Sequence, residues 1–127
     1  MSDRPRLKLT GVVLDSPDAR KLADFYRRLL GWDAVEDEPE WVVLAAPDGG
    51  AGLSFQTDQD YVPPAWPAGP HHQRMMAHLD IEVDDLDAAV AHALAEGAVL
   101  AKYQPQQHVR VCLDPSGHPF CLYLPGA

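Results

Sequence analysis

The sequence predicts an α+β protein built from two βαβββ modules in tandem. Three observations carry that expectation. Gly11-Val-Val-Leu-Asp-Ser-Pro-Asp18 and His78-Leu-Asp-Ile-Glu-Val-Asp-Asp85 both read as a strand running into a helix cap. Each is followed by a helical stretch that stops at a glycine, Gly31 or Gly97. Two turn signals, Pro47-Asp-Gly-Gly50 and Asp114-Pro-Ser-Gly117, then each lead into a short strand. The spacings are 67 residues from Gly11 to His78, 66 from Gly31 to Gly97 and 68 from Pro47 to Pro115, a drift expected between two copies of one unit.

The first helix is expected over 17–30. Ser16 caps its free amides, Pro17 suits the first helical position, and Asp18 favours the positive end of the dipole. Leu22, Phe25, Tyr26, Leu29 and Leu30 recur at helical spacing and make one apolar stripe. The second helix opens at Asp84 or Asp85 and carries Leu86, Ala89, Val90, Ala93 and Leu94 as its stripe. Both helices are one-faced and must lie against a sheet. Strands are expected at 7–14, 33–36, 41–46, 52–57, 76–83, 98–102, 109–114 and 119–124. Module one therefore spans about 7–57 and module two about 75–125. The connector 58–74 holds Pro63, Pro64, Pro67, Pro70 and Trp66, too proline-rich for regular structure, and reads as a linker or a lid.

Composition bounds the function. At 127 residues and 46% hydrophobic, the chain is long enough for one domain, 1–127, with a proper core. Nineteen acidic residues against 10 basic ones give a formal net charge of -9, which repels phosphate backbones, so no nucleic-acid partner is expected. No apolar run approaches the ~20 residues of a membrane span, and the charged start from Ser2 to Arg6 lacks a signal-peptide core. A cytoplasmic protein with no membrane partner is expected. Cys112 and Cys121 make no disulfide framework and fit no zinc spacing.

Strand alternation then assigns faces. In 76–83, Leu79, Ile81 and Val83 must face the helix, leaving His78, Asp80 and Glu82 on the other side. In 119–124, Phe120, Leu122 and Leu124 take the helix face and leave Cys121 and Tyr123 opposite. The strand 109–114 is read with Val109, Val111 and Leu113 on one face, and Arg110 and Cys112 on the polar one. In module one Leu53 and Phe55 read as core, with Ser54 and Gln56 on the second face. Two explanations fit. An antiparallel sheet often has one wet face. Alternatively, the polar face is a ligand cup with a titratable His78, an acid and Arg110, closed by the connector and Trp66.

Each candidate has a functional and a structural reading. His78 is a candidate general base or lone metal ligand, with Glu82 as a second catalytic candidate; a histidine hydrogen-bonded to Asp80 or Glu82 is the alternative. Cys121 is a nucleophile or a buried inert thiol, with Cys112 read as its neighbour directly across the hairpin. Arg110 anchors a carboxylate or phosphate, or pairs with Glu82 or Asp80. Trp66 is a stacking lid or a plug that holds the loop. His71 and His72 read as loop surface, His92 as exposed on the second helix, and Trp32 and Trp41 as packing residues.

The stretches "DSPDARKLADFYRRLLGW", "HLDIEVDDLDAAVAHALAEGA" and "DPSGHPFCLYLP" resemble the vicinal oxygen chelate superfamily, which includes glyoxalase I, extradiol dioxygenases, fosfomycin-resistance enzymes and bleomycin-binding proteins. With "PPAWP" before "HLDI", the chain is similar to the bacterial glyoxalase-like branch. The resemblance implies a curved mixed sheet forming a half-barrel, helices outside, and ligands bound on the concave face. It makes His118 a structural turn residue and a homodimer the expected assembly. It also implies metal-ligand positions at Gly11, Gln56, His78 and Cys121. Glycine brings no side chain, Gln56 is a poor donor, and Cys121 is soft among hard ligands; only His78 is conventional. A catalytic site wants about three good protein ligands, so no metal cofactor is expected, with His78 and Gln56 the weak candidates for a divalent ion. The expected function is binding or sequestering a small organic molecule, or transforming it without a metal, through Gln56, His78, Asp80, Arg110, Cys121, Tyr123 and Trp66. The alternatives are a divalent-metal-dependent lyase or dioxygenase, and an interaction domain whose cup is merely wet sheet. No residue set specific for glutathione or a phosphonate is visible.

Overall fold

Every predicted strand and both helices occur in the predicted order in a computed structural model, whose described residues are 4–126. The first module comprises β1 (Gly11–Ser16), α1 (Ala19–Leu30), β2 (Asp33–Glu38), β3 (Trp41–Ala45) and β4 (Gly52–Thr57). The second comprises β5 (Leu79–Glu82), α2 (Leu86–Glu96), β6 (Val99–Leu100), β7 (Val109–Leu113) and β8 (Pro119–Tyr123). Each forms a mixed four-stranded sheet, in the orders β1-β4-β3-β2 and β5-β8-β7-β6. In both, the first strand runs parallel to the last and the remaining pairs are antiparallel. A parallel pair needs a long crossover, and each begins with a helix. The two tandem modules make an open α+β arrangement that does not close into a barrel.

Both helices end as their sequences require. Gly31 (φ 73°) and Gly97 (φ 119°) adopt left-handed geometry that other residues resist, and their amides bond back to Arg27 O and to Ala93 and Leu94 O. Asp85 caps α2, its carboxylate accepting from the Ala88 amide at 3.0 Å.

The start of the first helix departs from expectation. It begins at Ala19, and Asp18 is the cap, its carboxylate accepting from the Lys21 amide. Ser16 is buried at the end of β1; its hydroxyl donates to Asp18 O and accepts both from the Asp18 amide at 3.0 Å and from the Ser116 hydroxyl of the second module. It therefore closes a turn onto Asp18, while the Ala19 amide donates to the Thr57 hydroxyl at 3.0 Å. The strand before the helix starts at Gly11 rather than at 7.

The core joins the modules through α1. Leu22, Phe25 and Tyr26 are fully buried, and Tyr26 stacks on Phe55 of β4 at 5.6 Å between ring centres. Its edge meets Phe120 of β8 at 6.1 Å, and Phe25 lies 6.0 Å from the same ring. Burying each such ring stabilises by roughly 1.5–3 kcal/mol. Only Ala93 of α2 is fully buried, while Leu86, Ala89 and Val90 pack on the core edge. Leu94, expected on the stripe, is 42% exposed.

Polar groups bridge the same boundary. The Tyr26 hydroxyl donates to buried Asp114 at 2.7 Å, and the amides of Ser116 and His118 donate to the other carboxylate oxygen. His118 Nε2 donates to Asp15 O at 2.7 Å, the carbonyl being an acceptor only. The connector is anchored here: Tyr61 donates to Ser116 O at 2.6 Å, and Pro63 sits where a Cβ on Gly117 (φ 89°) would meet it at 3.0 Å.

Candidate functional site

Parallel pairing places Asp80 of β5 directly beside Cys121 of β8. His78, two residues upstream of Asp80, projects to the same side. His78 Nε2 lies 3.1 Å from Asp80 Oδ1, and the Cys121 thiol stands across the rung from the same residue. One ligand atom from each of the three residues falls within 4.8 Å of the others. Together with Gln106, Val109 and Tyr123 they line a cavity of about 250 Å³. His78 and Asp80 are exposed and Cys121 is half-buried.

Electrostatics decide what the thiols can do. Burial pushes the Cys121 thiol up, and the neighbouring Asp80 charge raises it further. Cys112 is pushed up to about 11 by burial and then by Cys121. Both are protonated at neutral pH, so neither is an activated nucleophile. Asp80 places a carboxylate between an imidazole and a thiol.

The structure corrects the reading of β7. Arg110 pairs with Leu122, and Cys112 with buried Phe120, so both belong to the helix side. Val111, not Cys112, stands across from Cys121. The cause is chemical: a reduced cysteine behaves as a small hydrophobe, and Cys112 fills the core with no exposure. Arg110 consequently lies outside the cavity lining and donates to the carbonyls of Val109 (2.8 Å), Gln107 (3.0 Å) and Gln106 (3.3 Å), bracing the segment before its strand.

Other candidates are also placed elsewhere. Trp66 donates to Tyr103 O at 3.4 Å with the two rings 6.0 Å apart, outside the cavity lining. Gln56, on the first sheet, donates to the Asp15 carboxylate at 2.7 Å. Glu82 is exposed, on the rung of Tyr123 but outside the lining. His92 Nε2 contacts Leu29 O at 3.0 Å, and the His72 ring accepts from the Gly69 amide at 2.8 Å. Trp41 donates to Glu36 at 2.8 Å, and Trp32 packs on the core edge. Gln106 escaped the sequence reading because it lies in an irregular segment, where alternation gives no signal.

Two larger hollows lie elsewhere on the surface. One of about 680 Å³ lies between α1 and the β2–β3 hairpin, where Arg20 pairs with Asp37 at 2.8 Å and Arg27 with Asp24. These solvated pairs satisfy one another. The second, about 440 Å³, lies under the connector beside β1 and His118.

The metal positions implied by the sequence resemblance are not assembled as a set. Gly11 offers no donor, and a Cβ there would lie 3.3 Å from Gly52 O. Gln56 is committed to Asp15.

A family model described as a glyoxalase-like domain matches residues 11–123. Among curated proteins nothing matches. Solved structures do. A glyoxalase/bleomycin resistance protein/dioxygenase family enzyme from Burkholderia phytofirmans PsJN is 20% identical, with 93% of this chain and 98% of that one covered at a TM-score of 0.70. Lactoylglutathione lyase from Agrobacterium tumefaciens is 16% identical, with 96% of each chain covered and a TM-score of 0.62. TnmS3, an antibiotic binding protein from Streptomyces sp. CB03234, is 20% identical, with 99% of this chain and 100% of that one covered and a TM-score of 0.59. At these identities the likeness is one of fold.

Proposed function

The chain belongs to the glyoxalase-like domain family, within the vicinal oxygen chelate superfamily, and on that premise we propose that it binds a small organic molecule in the cup of its second module. The observation that carries this reading is the cavity of about 250 Å³ onto which His78, Asp80, Cys121 and Tyr123 all open. The cup offers an imidazole, a carboxylate acceptor, a phenol and the Gln106 side chain, with Val109 as its aliphatic contact. Such a combination orients a ligand through a few polar contacts while burying its body. The alternative, a lyase or dioxygenase centred on the four-position metal, is disfavoured by Gly11 and by the engagement of Gln56. No step is derived through that centre.

Homodimerisation in the cytoplasm is part of the same proposal. β1 and β5 are edge strands of their sheets, and Val12 and Val13 on β1 are both exposed. Open, apolar edges invite a second copy.

The test is a thermal-shift screen of purified protein against metabolites and antibiotics, the latter because one structural neighbour is an antibiotic binding protein. A ligand at a hundred times its Kd stabilises by about 2.7 kcal/mol, a rise in Tm of roughly 10 °C for a chain of this size. The rise should vanish in Tyr123→Ala and in Val109→Trp, which fills the cup. A flat response across the panel would favour an interaction domain instead.

A further inference from the structure

The strand pattern of the sequence begins at Leu7, but the first sheet takes up only Gly11–Ser16 of it. The arm that precedes β1, Arg4-Pro-Arg-Leu-Lys-Leu-Thr10, is exposed throughout, and residues 5–10 lie in no helix or strand. Arg6 and Lys8 alternate with Leu7 and Leu9, which gives an extended segment one basic and one apolar face. Both leucines stand in water, at 81% and 75% exposure. We propose that this arm adds as a fifth strand to the outer edge of β2 in a second copy of the chain.

The β2 edge is complementary to it. β2 ends its sheet, and all six of its residues are exposed. Pairing with β3 sets Asp33, Glu36 and Glu38 on the face of Ala45, Val43 and Trp41, and Ala34 on the opposite face with buried Leu44. Arg20 occupies Asp37 O at 3.2 Å, so the added ladder runs along Asp33–Glu36. The register shift between Ala34 and Glu36 makes Asp33 and Glu36 successive acids on one face, where Arg6 and Lys8 meet them. Leu7 and Leu9 then fall to the other side, above the hollow of about 680 Å³ floored by Val42 and Leu44. Val35, inside the register shift and 63% exposed, gains apolar cover. Acids along an edge keep most foreign strands away; a strand of opposite charge is the kind they admit.

Sheet geometry makes the occupant a second copy. Val12, Leu53, Leu44 and Ala34 share one row across the sheet, which puts Ala34 three strand spacings, about 14 Å, from Val12. An extended chain covers about 3.3–3.6 Å per residue, so crossing that row takes about four residues. The chain's own arm would spend Leu9 and Leu7 on the crossing and could not lay them on its own β2. The arm of another copy has no such tether. Its few residues fall short of the roughly 20–30 a side of a standard interface, so the contact is weak and forms as concentration rises. It is separate from the cup and from the β1 edge.

The experiment is sedimentation of the full chain over a wide concentration range in a Val13→Lys background, which silences the β1 edge. The mass should rise with concentration, and less so at high salt. Arg6→Glu with Lys8→Glu, or Asp33→Lys with Glu36→Lys, should weaken this association at least about tenfold. Mixing those two charge-reversed chains should restore it between them, which loss of folding could not do. A labelled peptide of the arm sequence should also bind the full chain, and a scrambled peptide of the same composition should not. A Val13→Lys chain that stays monomeric at every concentration overturns the arm proposal while leaving the β1 edge as the dimer contact. Association indifferent to both charge reversals, or no rescue on mixing, overturns it as well. Equal binding of the scrambled peptide overturns the added strand in favour of bare charge attraction. Native-sequence chain that associates no better than Val13→Lys would instead sink the β1 edge and leave the arm.

Discussion

Asp114 is an acid removed from water at the junction of the two modules, and burial raises its pKa above the usual 3.8 despite donors from Tyr26, Ser116 and His118. The folded chain therefore holds this proton to higher pH than the unfolded chain does. Its contribution to stability is greatest below pH 3.8 and declines as pH rises through the raised value. Urea melts across acidic pH should show that decline in the native sequence and lose it in Asp114→Asn. Tyr26→Phe leaves the carboxylate one donor short and should cost about 1–3 kcal/mol. At Cys121, a thiol that keeps its proton should be alkylated by iodoacetamide far more slowly than a free peptide thiol, with the rate climbing as pH rises. How far such roles were legible depended on the kind of residue. His78, Asp80, Cys121 and Tyr123 were readable because strict alternation fixes their side of the sheet. Arg110 was misread because Val109, Val111 and Leu113 make an apolar alternation of their own, whereas the core side of the strand is set by Cys112 packing against Phe120. The pairing of Cys121 with Asp80 was invisible, since register between distant strands is not written locally.

Caps and stops governed how legible the bounds of each element were. Gly31 and Gly97 mark their helix ends because few other residues accept positive φ there. Gly31→Ala should cost about 1 kcal/mol in a denaturant melt. Asp85→Ala, which removes the acceptor for the Ala88 amide, should cost about the same. The start of α1 was less legible. Ser16, Asp18 and the intervening proline offer two caps; Asp18 accepts the Lys21 amide, and Ser16 instead takes the Asp18 amide and the Ser116 hydroxyl.

Across the whole molecule, the echo between halves revealed two modules, yet their mode of union was not encoded in either. It depends on Phe25 and Tyr26 reaching Phe120 and on Tyr26 reaching Asp114. Phe120→Ala should therefore cost about 3–5 kcal/mol and lower the melting of both modules together, giving one transition by near-UV and far-UV circular dichroism. Two separate transitions would mean the shared core does not couple them. Light scattering should give twice the mass of one chain, falling toward the monomer when Val13→Lys charges the β1 edge.

Both modules carry an aspartate on the first strand facing a polar side chain on the last, but the two rungs have opposite characters. In the first, an amide grips the Asp15 carboxylate at 2.7 Å, and the rung works as a rivet. In the second, Asp80 stands beside a thiol at the mouth of a cavity, and the rung is a socket. One half of the chain is thus fastened at the place where the other half is receptive, so near-symmetry of backbone yields a protein that is lopsided in its chemistry.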